Sequence, residues 1–313
     1  MSLTNPRLAD GTQTPPTDST VALSAPGYRP TAPRTGKGKR RLSSTALHIV
    51  LVVAGVAMVF PFIWMLLTSF KTLPQLLQDP LAFLPQPWTA DNYVEAWNAV
   101  PFGQAYLNSL YIAALVVAGT LLTASMAGYA FARIRFRGAK VLFIVFLATQ
   151  MIPKQVTLIP FYLLMTQLGW VDSHLALIVP GLLANPFAVF LMRQFVLSLP
   201  KELEEAALVD GAGRWRIFWS VILPNLKPGL AALSIIVALD VWNAFLFPLV
   251  LLNTPDLFTV PLLLSSFQGQ FGSVNYGLVM AASAISTIPM LIVFIIGQRR
   301  ILNSMAASGL GGR

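Results

Sequence analysis

Residues 198–224 read SLPKELEEAALVDGAGRWRIFWSVILP, a charged stretch pinned between two long apolar runs. Glu202, Glu204, Glu205 and Asp210, four of the twelve acidic residues in the chain, fall within nine positions of it. Ser198 is a good N-cap residue and Pro200 is tolerated in a first helical turn, so the stretch predicts a helix that starts at Ser198. Its three glutamates then lie near the positive end of the helix dipole. Leu203, Ala206 and Ala207 recur at helical spacing and make a small apolar face. Gly211 and Gly213 break the run. A second amphipathic piece runs from Trp215 to Leu223 and is expected to stop at Pro224. Two readings follow. The stretch is either a surface loop that only joins its neighbours, or a docking helix. In the second case a partner approaches the backbone over Ala206 and Ala207 and pairs with Glu205 and Asp210.

The surroundings of this loop set the class of the protein. The chain is 56% hydrophobic and 11% charged, with a mean hydropathy of +0.69, where a soluble chain carries roughly 25% charged residues. The composition predicts an all-α, polytopic membrane protein. Cysteine is absent, which excludes disulfides, thiol catalysis and cysteine metal sites. His48 and His174 are the only histidines and lie far apart, so neither a metal nor a cofactor is expected. The net charge of +9 is explained by membrane topology rather than by a nucleic-acid partner. Residues 1–44 are rich in Pro, Thr, Ser and Gly and read as a disordered tail. The apolar run from Ala46 to Leu67 has 22 residues. It is longer than a signal-peptide core and no small-residue cleavage site follows, so it reads as an uncleaved first span.

A helix needs about 20 apolar residues to cross a bilayer. Six segments qualify, at 46–68, 106–132, 141–165, 175–197, 228–252 and 276–297. With the N-terminus inside, all of the 21 Lys and Arg residues except Lys71 and Lys154 fall on the cytoplasmic side or at its edge. The expectation is therefore a six-span transmembrane domain over 45–297, with cytoplasmic tails 1–44 and 298–313 and both termini cytoplasmic. The long loop 198–224 is also inside. The loop 69–105 lies outside, with Trp88, Tyr93 and Trp97 suited to the interface.

At this point the residues carry a resemblance. Glu205-Ala206-Ala207, three residues, Gly211, nine residues, Val221, one residue and Leu223-Pro224 is similar to the signature loop of ABC importer permeases. Val221 stands where that family usually has Ile. The Asp210-Gly211-Ala212 continuation resembles the carbohydrate branch. Ala127-Gly128-Tyr129-Ala130-Phe131-Ala132-Arg133 resembles the family's small-residue run ending in Arg, and Asn108-Ser109-Leu110 its start of the second span. Trp242-Asn243-Ala244-Phe245-Leu246-Phe247-Pro248 is similar to its fifth-span motif, with Ala244 where an acidic residue is common. The resemblance extends from about residue 46 to the end of the chain, and the match is to the maltose-type second permease.

It implies the ABC importer type I permease fold and a multi-pass protein of the cell inner (plasma) membrane. It also implies a set of partners: a second permease subunit, two ABC ATPase subunits, an extracytoplasmic solute-binding protein, a sugar substrate and the surrounding membrane lipid. On this reading Glu205, Ala206, Ala207, Asp210, Gly211, Leu223 and Pro224 couple to the ATPase. The Gly309, Gly311 and Gly312 tail resembles one that reaches into the ATPase dimer, though it also reads as a frayed terminus. No phosphate-cradling Gly-x-x-x-x-Gly-Lys-Ser/Thr occurs, so the chain is not expected to be an enzyme and nucleotide belongs to a partner.

Ionisable residues at membrane depth are costly and face protein or water. Lys154 and Asp240 are the two such residues, at matching depths of about 18–20 Å from the inner surface. They are candidates for the translocation path with Gln150, Trp242 and Asn243. Snorkelling of Lys154 and a structural hydrogen bond from Asp240 are the competing readings. Pro153 and Pro160 predict a kinked third span. The alternative function is an ion-coupled secondary carrier for a small polar solute, in which Lys154 and Asp240 would bind the coupling ion.

Overall fold

The computed structural model describes residues 37–310, except Ala184 and residues 268–274. Every regular element among them is helical. In order these are α1 (Lys37–Ser69), α2 (Leu73–Gln78), α3 (Asp91–Ala99), α4 (Phe102–Arg133), α5 (Ala139–Ala148), α6 (Leu158–Gln167), α7 (Leu175–Leu182) and α8 (Pro186–Ser198). They continue as α9 (Glu202–Val209), α10 (Arg214–Ile217), α11 (Leu223–Asn225), α12 (Lys227–Trp242), α13 (Leu246–Leu251), α14 (Val260–Ser266) and α15 (Tyr276–Leu310). The chain divides into two compact units, residues 1–56 and 57–313. In the first, the described residues form helix from Lys37 onward, with Leu47, Val50, Val53 and Val56 exposed. Helix therefore begins inside the stretch expected to be a disordered tail to residue 44. Lys and Arg are good helix formers and extend the span. Residues 1–36 lie outside the described residues.

Four helical stretches are long and apolar enough to cross a membrane: Ser44–Ser69, Phe102–Arg133, Leu175–Ser198 and Tyr276–Gly297. The expected third span, 141–165, is not one helix. It is two shorter pieces, Ala139–Met151 and Leu158–Gln167, with non-helical chain between them. Pro153 is responsible, because the residue before a proline is driven out of the α region and Ile152 is extended at φ −80°, ψ 117°. Pro160 makes no kink. It sits in the first turn of α6, where its missing N–H has no carbonyl to serve. The expected span 228–252 is also divided, into α12 and α13, at Asn243–Phe245.

Within residues 57–313, α4 is the central helix, packing most extensively on α8 and then on α12 and α7. Ile112, Val116 and Ala124 of α4 meet Ile178 of α7, Ala188, Val189 and Met192 of α8, and Leu233 and Val237 of α12. Close approach depends on glycine: a Cβ on Gly128 would stand 2.8 Å from the Arg193 backbone nitrogen. Where α7 ends at Leu182, α4 supplies hydroxyls to its last carbonyls. Thr120 donates to Gly181 O at 2.9 Å and Thr123 to Leu182 O at 2.8 Å. Such cross-helix bonds re-satisfy backbone freed in a low-dielectric setting. Asn185 then caps α8 by accepting from the Ala188 N–H, with Pro186 in the first turn.

The end of the bundle remote from the arginines is tied by polar straps. Asn108 donates to Asp256 O and Phe258 O, and Ser109 accepts from the Val260 N–H. Lys71, one of the two cations that break the charge pattern, is fully buried. Its Nζ donates to Ala82 O at 2.5 Å and lies 4.6 Å from the Trp64 ring. Burial pushes its pKa down, against the pull of Asp79. Asp172, at φ 57°, accepts from the backbone N–H groups of Asn253 and Thr254 and from the Thr254 hydroxyl. These bonds, led by the hydroxyl, lower its pKa. A carboxyl held below its ordinary value stabilises the fold above the unfolded-state pKa, and the contribution disappears as pH falls through the folded one. Hydrogen exchange is therefore expected to show Asn253 and Thr254 amides protected at neutral pH and released as pH falls below the ordinary carboxylate range. In Asp172→Asn the protection should be reduced at neutral pH; unchanged protection there would discount the tether.

Candidate functional site

The charged loop folds as two helices joined by a tight bend. Ser198 does not cap the first of them. Its hydroxyl donates to Phe195 O and closes α8, Leu199 and Pro200 run on extended, and α9 starts at Glu202. The C-terminal end of α9 is closed by paired bonds, from Ala212 N to Ala207 O at 2.9 Å and from Gly211 N to Leu208 O at 3.0 Å. This Schellman closure needs a left-handed residue at the bend, and Gly211 has φ +77°. The motif's spacing is thus a backbone requirement.

The second piece is one irregular helix, Arg214–Asn225, which turns by 75° into α12. Pro224 does not stop it. Without an N–H it cannot bond the carbonyl of Ser220, and the preceding turn, Phe218–Ile222, widens to π geometry to accommodate this. Ile217, Phe218, Ile222 and Leu226 are buried against Tyr129 and Val196 and seat the bend on α4 and α8.

Three glutamates of α9 face different ways. Glu202 and Glu205 are exposed, as are Ala206, Asp210 and Gly211, while Ala207 and Leu223 are half-buried and Pro224 is exposed. Glu204 is turned inward. Its carboxylate lies 3.2 Å from Arg133 Nε, with side chains 11% and 5% exposed. Arg133 also donates from Nη2 to Val196 O at 3.0 Å and Leu199 O at 2.5 Å. The end of α4 is thereby tied to α8 and α9 together. The ion pair is off-line for a hydrogen bond, and among the described residues Arg133 Nε and Glu204 Oε1 are buried without one. Burial pushes the Glu204 pKa up, against the attraction of Arg133 and then Arg214. The sequence singled out Glu205; Glu204 is the residue it passed over. The signal was present in Arg133, a cation at the end of a small-residue run whose burial needs an acidic partner. Beside Glu205 the surface is apolar and uncovered, at Leu203, Leu208, Val209, Trp215 and Trp219.

The interior candidates separate into two groups. Lys154 Nζ and Asp240 Oδ2 are 3.5 Å apart, so the chain does bring these two residues together. Gln150 is exposed in the turn Thr149–Met151 beside them in sequence. Asn243 is exposed and donates to Leu239 O. Trp242 is turned away, 3% exposed, with its indole N–H bonded to Ser286 O and its ring edge-on to Tyr106. Trp242 and Asn243 do border a cleft of about 250 Å³ with Ser283, Ser286 and Thr287. Of the tail glycines, Gly309 falls within α15, which runs to Leu310, and Gly311 and Gly312 lie outside the described residues. Among the described residues no cluster of three His, Cys, Asp or Glu side chains is arranged to hold a metal.

The profile of the family described as binding-protein-dependent transport system inner membrane component matches residues 119–306. The arabinooligosaccharides transport system permease protein AraQ of Halalkalibacterium halodurans is 36% identical over 257 residues, 81% of this chain and 91% of that protein. The trehalose/maltose transport system permease protein MalG of Thermococcus litoralis is 35% identical over 273 residues, 85% and 97% of the two chains. The lactose transport system permease protein LacG of Rhizobium radiobacter is 34% identical over 270 residues, 86% and 97%. A chain in the crystal structure of a bacterial ABC transporter involved in the import of alginate superposes with a TM-score of 0.75 at 24% identity, over 88% of this chain and 99% of that one. The fold is the ABC importer permease fold.

Proposed function

Because this chain belongs to the family of binding-protein-dependent transport system inner membrane components, we propose that it is one of two permease subunits of an ATP-driven importer of sugars or oligosaccharides. The sugar class is supported by the relatives, whose names specify arabinooligosaccharides, trehalose or maltose, and lactose. The chain itself hydrolyses nothing. It crosses the inner membrane six times with both ends inside, and works with a second permease, two ATPase subunits and an extracytoplasmic solute-binding protein.

The observation that carries the coupling assignment is the presentation of α9. Its inner face is fixed to α4 and α8 through Glu204 and Arg133, and its outer face offers Glu205, Ala206 and Asp210 beside uncovered apolar side chains. A helix rigidly held on one side and bare on the other passes a push from a docked partner to the spans. Small Ala206 lets that partner close on the backbone, and Gly211 fixes where the helix ends. Leu223 and Pro224 hold the second half of the loop at the bend into α12. The glycine tail at 309–312 is a second contact with the ATPase. Gln150, Lys154, Asp240, Trp242 and Asn243 belong to the translocation path. An ion-coupled carrier would leave the exposed face of α9 without a partner.

The test is co-purification of the tagged chain from native membranes. An ATPase and a second permease are expected in the eluate. In Glu205→Ala the complex should assemble, with binding-protein-stimulated ATP hydrolysis at least several-fold lower. A single species without ATPase, or a Glu205→Ala complex as active as wild type, would overturn the reading.

A further inference from the structure

The third and fifth apolar segments are interrupted at the same depth, and the interruptions are adjacent. In the third, helix stops after Met151 and resumes at Leu158. In the fifth, it stops after Trp242 and resumes at Leu246. The distal halves, α6 and α13, touch through the rings of Phe161 and Phe247, 5.2 Å apart. Lys154, within the first break, pairs with Asp240 of α12, one turn before the second. Counting rise from Ala139 and from Lys227, both charges stand about 20 Å along their segments, two thirds of the way across a core of about 30 Å.

Residues 151–157 are all exposed, and the Lys154 and Asp240 side chains are 72% and 65% exposed. Non-helical backbone and fixed charges at membrane depth do not face lipid. They face protein or water-filled space. Burial against a partner subunit would desolvate both charges, and such a pair is stable only when further hydrogen bonds satisfy its remaining valences. The chain supplies none to either charged group among the described residues. What it supplies is unspent hydrogen-bonding capacity. Gln150 and Gln155 are exposed with no side-chain hydrogen bond among the described residues, and Asn243 spends its amide only on Leu239 O. Asn243 lies three residues after Asp240, on the same helix face.

Resting on the proposed importer function, we propose that the paired breaks form a contact site for a neutral, polyhydroxylated solute. Asp240 accepts from neighbouring hydroxyls, Lys154 donates to a hydroxyl or ring oxygen, and the amides of Gln150 and Asn243 complete the contacts. The pair is neutral overall. It offers donors and acceptors together while opposing an anion at Asp240 and a cation at Lys154.

The chain contains no cysteine, so Gln150→Cys and Asn243→Cys report this surface directly while leaving the ion pair intact. The assembled transporter, reconstituted with its ATPase and binding protein, is treated with a charged methanethiosulfonate. Uptake of radiolabelled trehalose, maltose, lactose and an arabinooligosaccharide is measured in parallel with ATP hydrolysis. Both cysteines are expected to react, and the transported sugar should slow the reaction severalfold. Asp240→Asn and Lys154→Gln should lower uptake tenfold or more, with stimulated ATP hydrolysis within twofold of wild type. Cysteines inert to the reagent would place the surface against the second permease and overturn the site. So would uptake within twofold of wild type in both charge variants, or variants that no longer assemble. If the wild-type transporter moves none of these sugars, the importer reading falls and takes this site with it. Normal wild-type uptake with unaffected variants overturns this site alone.

Discussion

Glu204→Lys should abolish the folded subunit, whereas Glu205→Lys, one residue away, should leave the subunit's own fold nearly unchanged. Glu204 is buried 3.2 Å from Arg133 and within the influence of Arg214. A lysine there removes the only carboxylate paired with the buried guanidinium among the described residues and adds a second buried cation. Leaving one partner of a buried pair uncompensated costs about 3–5 kcal/mol before repulsion is added, against a total stability of about 5–15 kcal/mol for a typical domain. Glu205 is exposed, and surface substitutions of that kind fall within about 0.5 kcal/mol. Glutamine at 204 separates charge from shape. Burial raises the Glu204 pKa in spite of its two arginines, so the folded chain holds the proton more tightly than the unfolded one. Its contribution to stability is full below the unfolded-state pKa and declines as pH rises through the folded value. Glu204→Gln keeps the shape, removes the titrating group and leaves Arg133 without a carboxylate, so its stability should fall between those of Glu205→Lys and Glu204→Lys, with a flatter dependence on pH. Thermal unfolding of the purified complex, for wild type and the three variants across pH 5 to 8, checks the series. A Glu204→Lys complex as stable as Glu205→Lys would refute the burial argument.

The contrast between Glu204 and Glu205 marks where reading the sequence stops. The position of Gly211 four residues after Ala207 is legible, because a left-handed helix closure favours glycine there. Helical phase does not tell which of two adjacent glutamates turns inward. That is decided by Arg133, some seventy residues earlier in the chain, which is bonded to the end of α8 and needs a carboxylate. The membrane class and most apolar segments are likewise visible in composition. The breaks are not, because a window of about 19 residues averages over Ile152–Thr157 and Asn243–Phe245. The local signal was there in Pro153 followed by Lys154 and Gln155, where a lost donor and two polar side chains coincide. The matched depths of Lys154 and Asp240 could be counted from the sequence. Their meeting depends on α6 and α13 lying together, which hydropathy does not specify. Trp242 shows the opposite failure. Read as a path residue, it spends its N–H on Ser286 O and its ring on Tyr106 while bordering the cleft.

The α4–α8 contact is where a single methyl group should do the most damage. A Cβ on Gly128 would stand 2.8 Å from Arg193 N, 2.9 Å from Met192 Cβ and 3.0 Å from Met192 C. Two of these three atoms are backbone, so no rotamer change relieves the overlap and the helices must separate. Arg193 Nε donates to Phe131 O and Arg133 Nη2 donates to Val196 O and Leu199 O across the same seam. Separation therefore strains the bonds that hold the end of α4 beneath α9, and the fault reaches the docking helix. Overpacking of this kind costs about 1–3 kcal/mol for an added methyl, and Gly128→Val, with two more carbons and a stiff χ1, should exceed that and prevent assembly. Gly103, in the same helix, is the control. Its nearest neighbour to a new Cβ is Trp97 at 3.5 Å, an ordinary contact, so Gly103→Ala should be neutral or slightly stabilising through helix propensity. Yield and thermal unfolding of the purified complex should fall in the order Gly103→Ala, Gly128→Ala, Gly128→Val. If Gly128→Val assembles with the stability of Gly103→Ala, α4 and α8 do not meet as closely as this seam requires, and the rigid support for α9 must come from elsewhere.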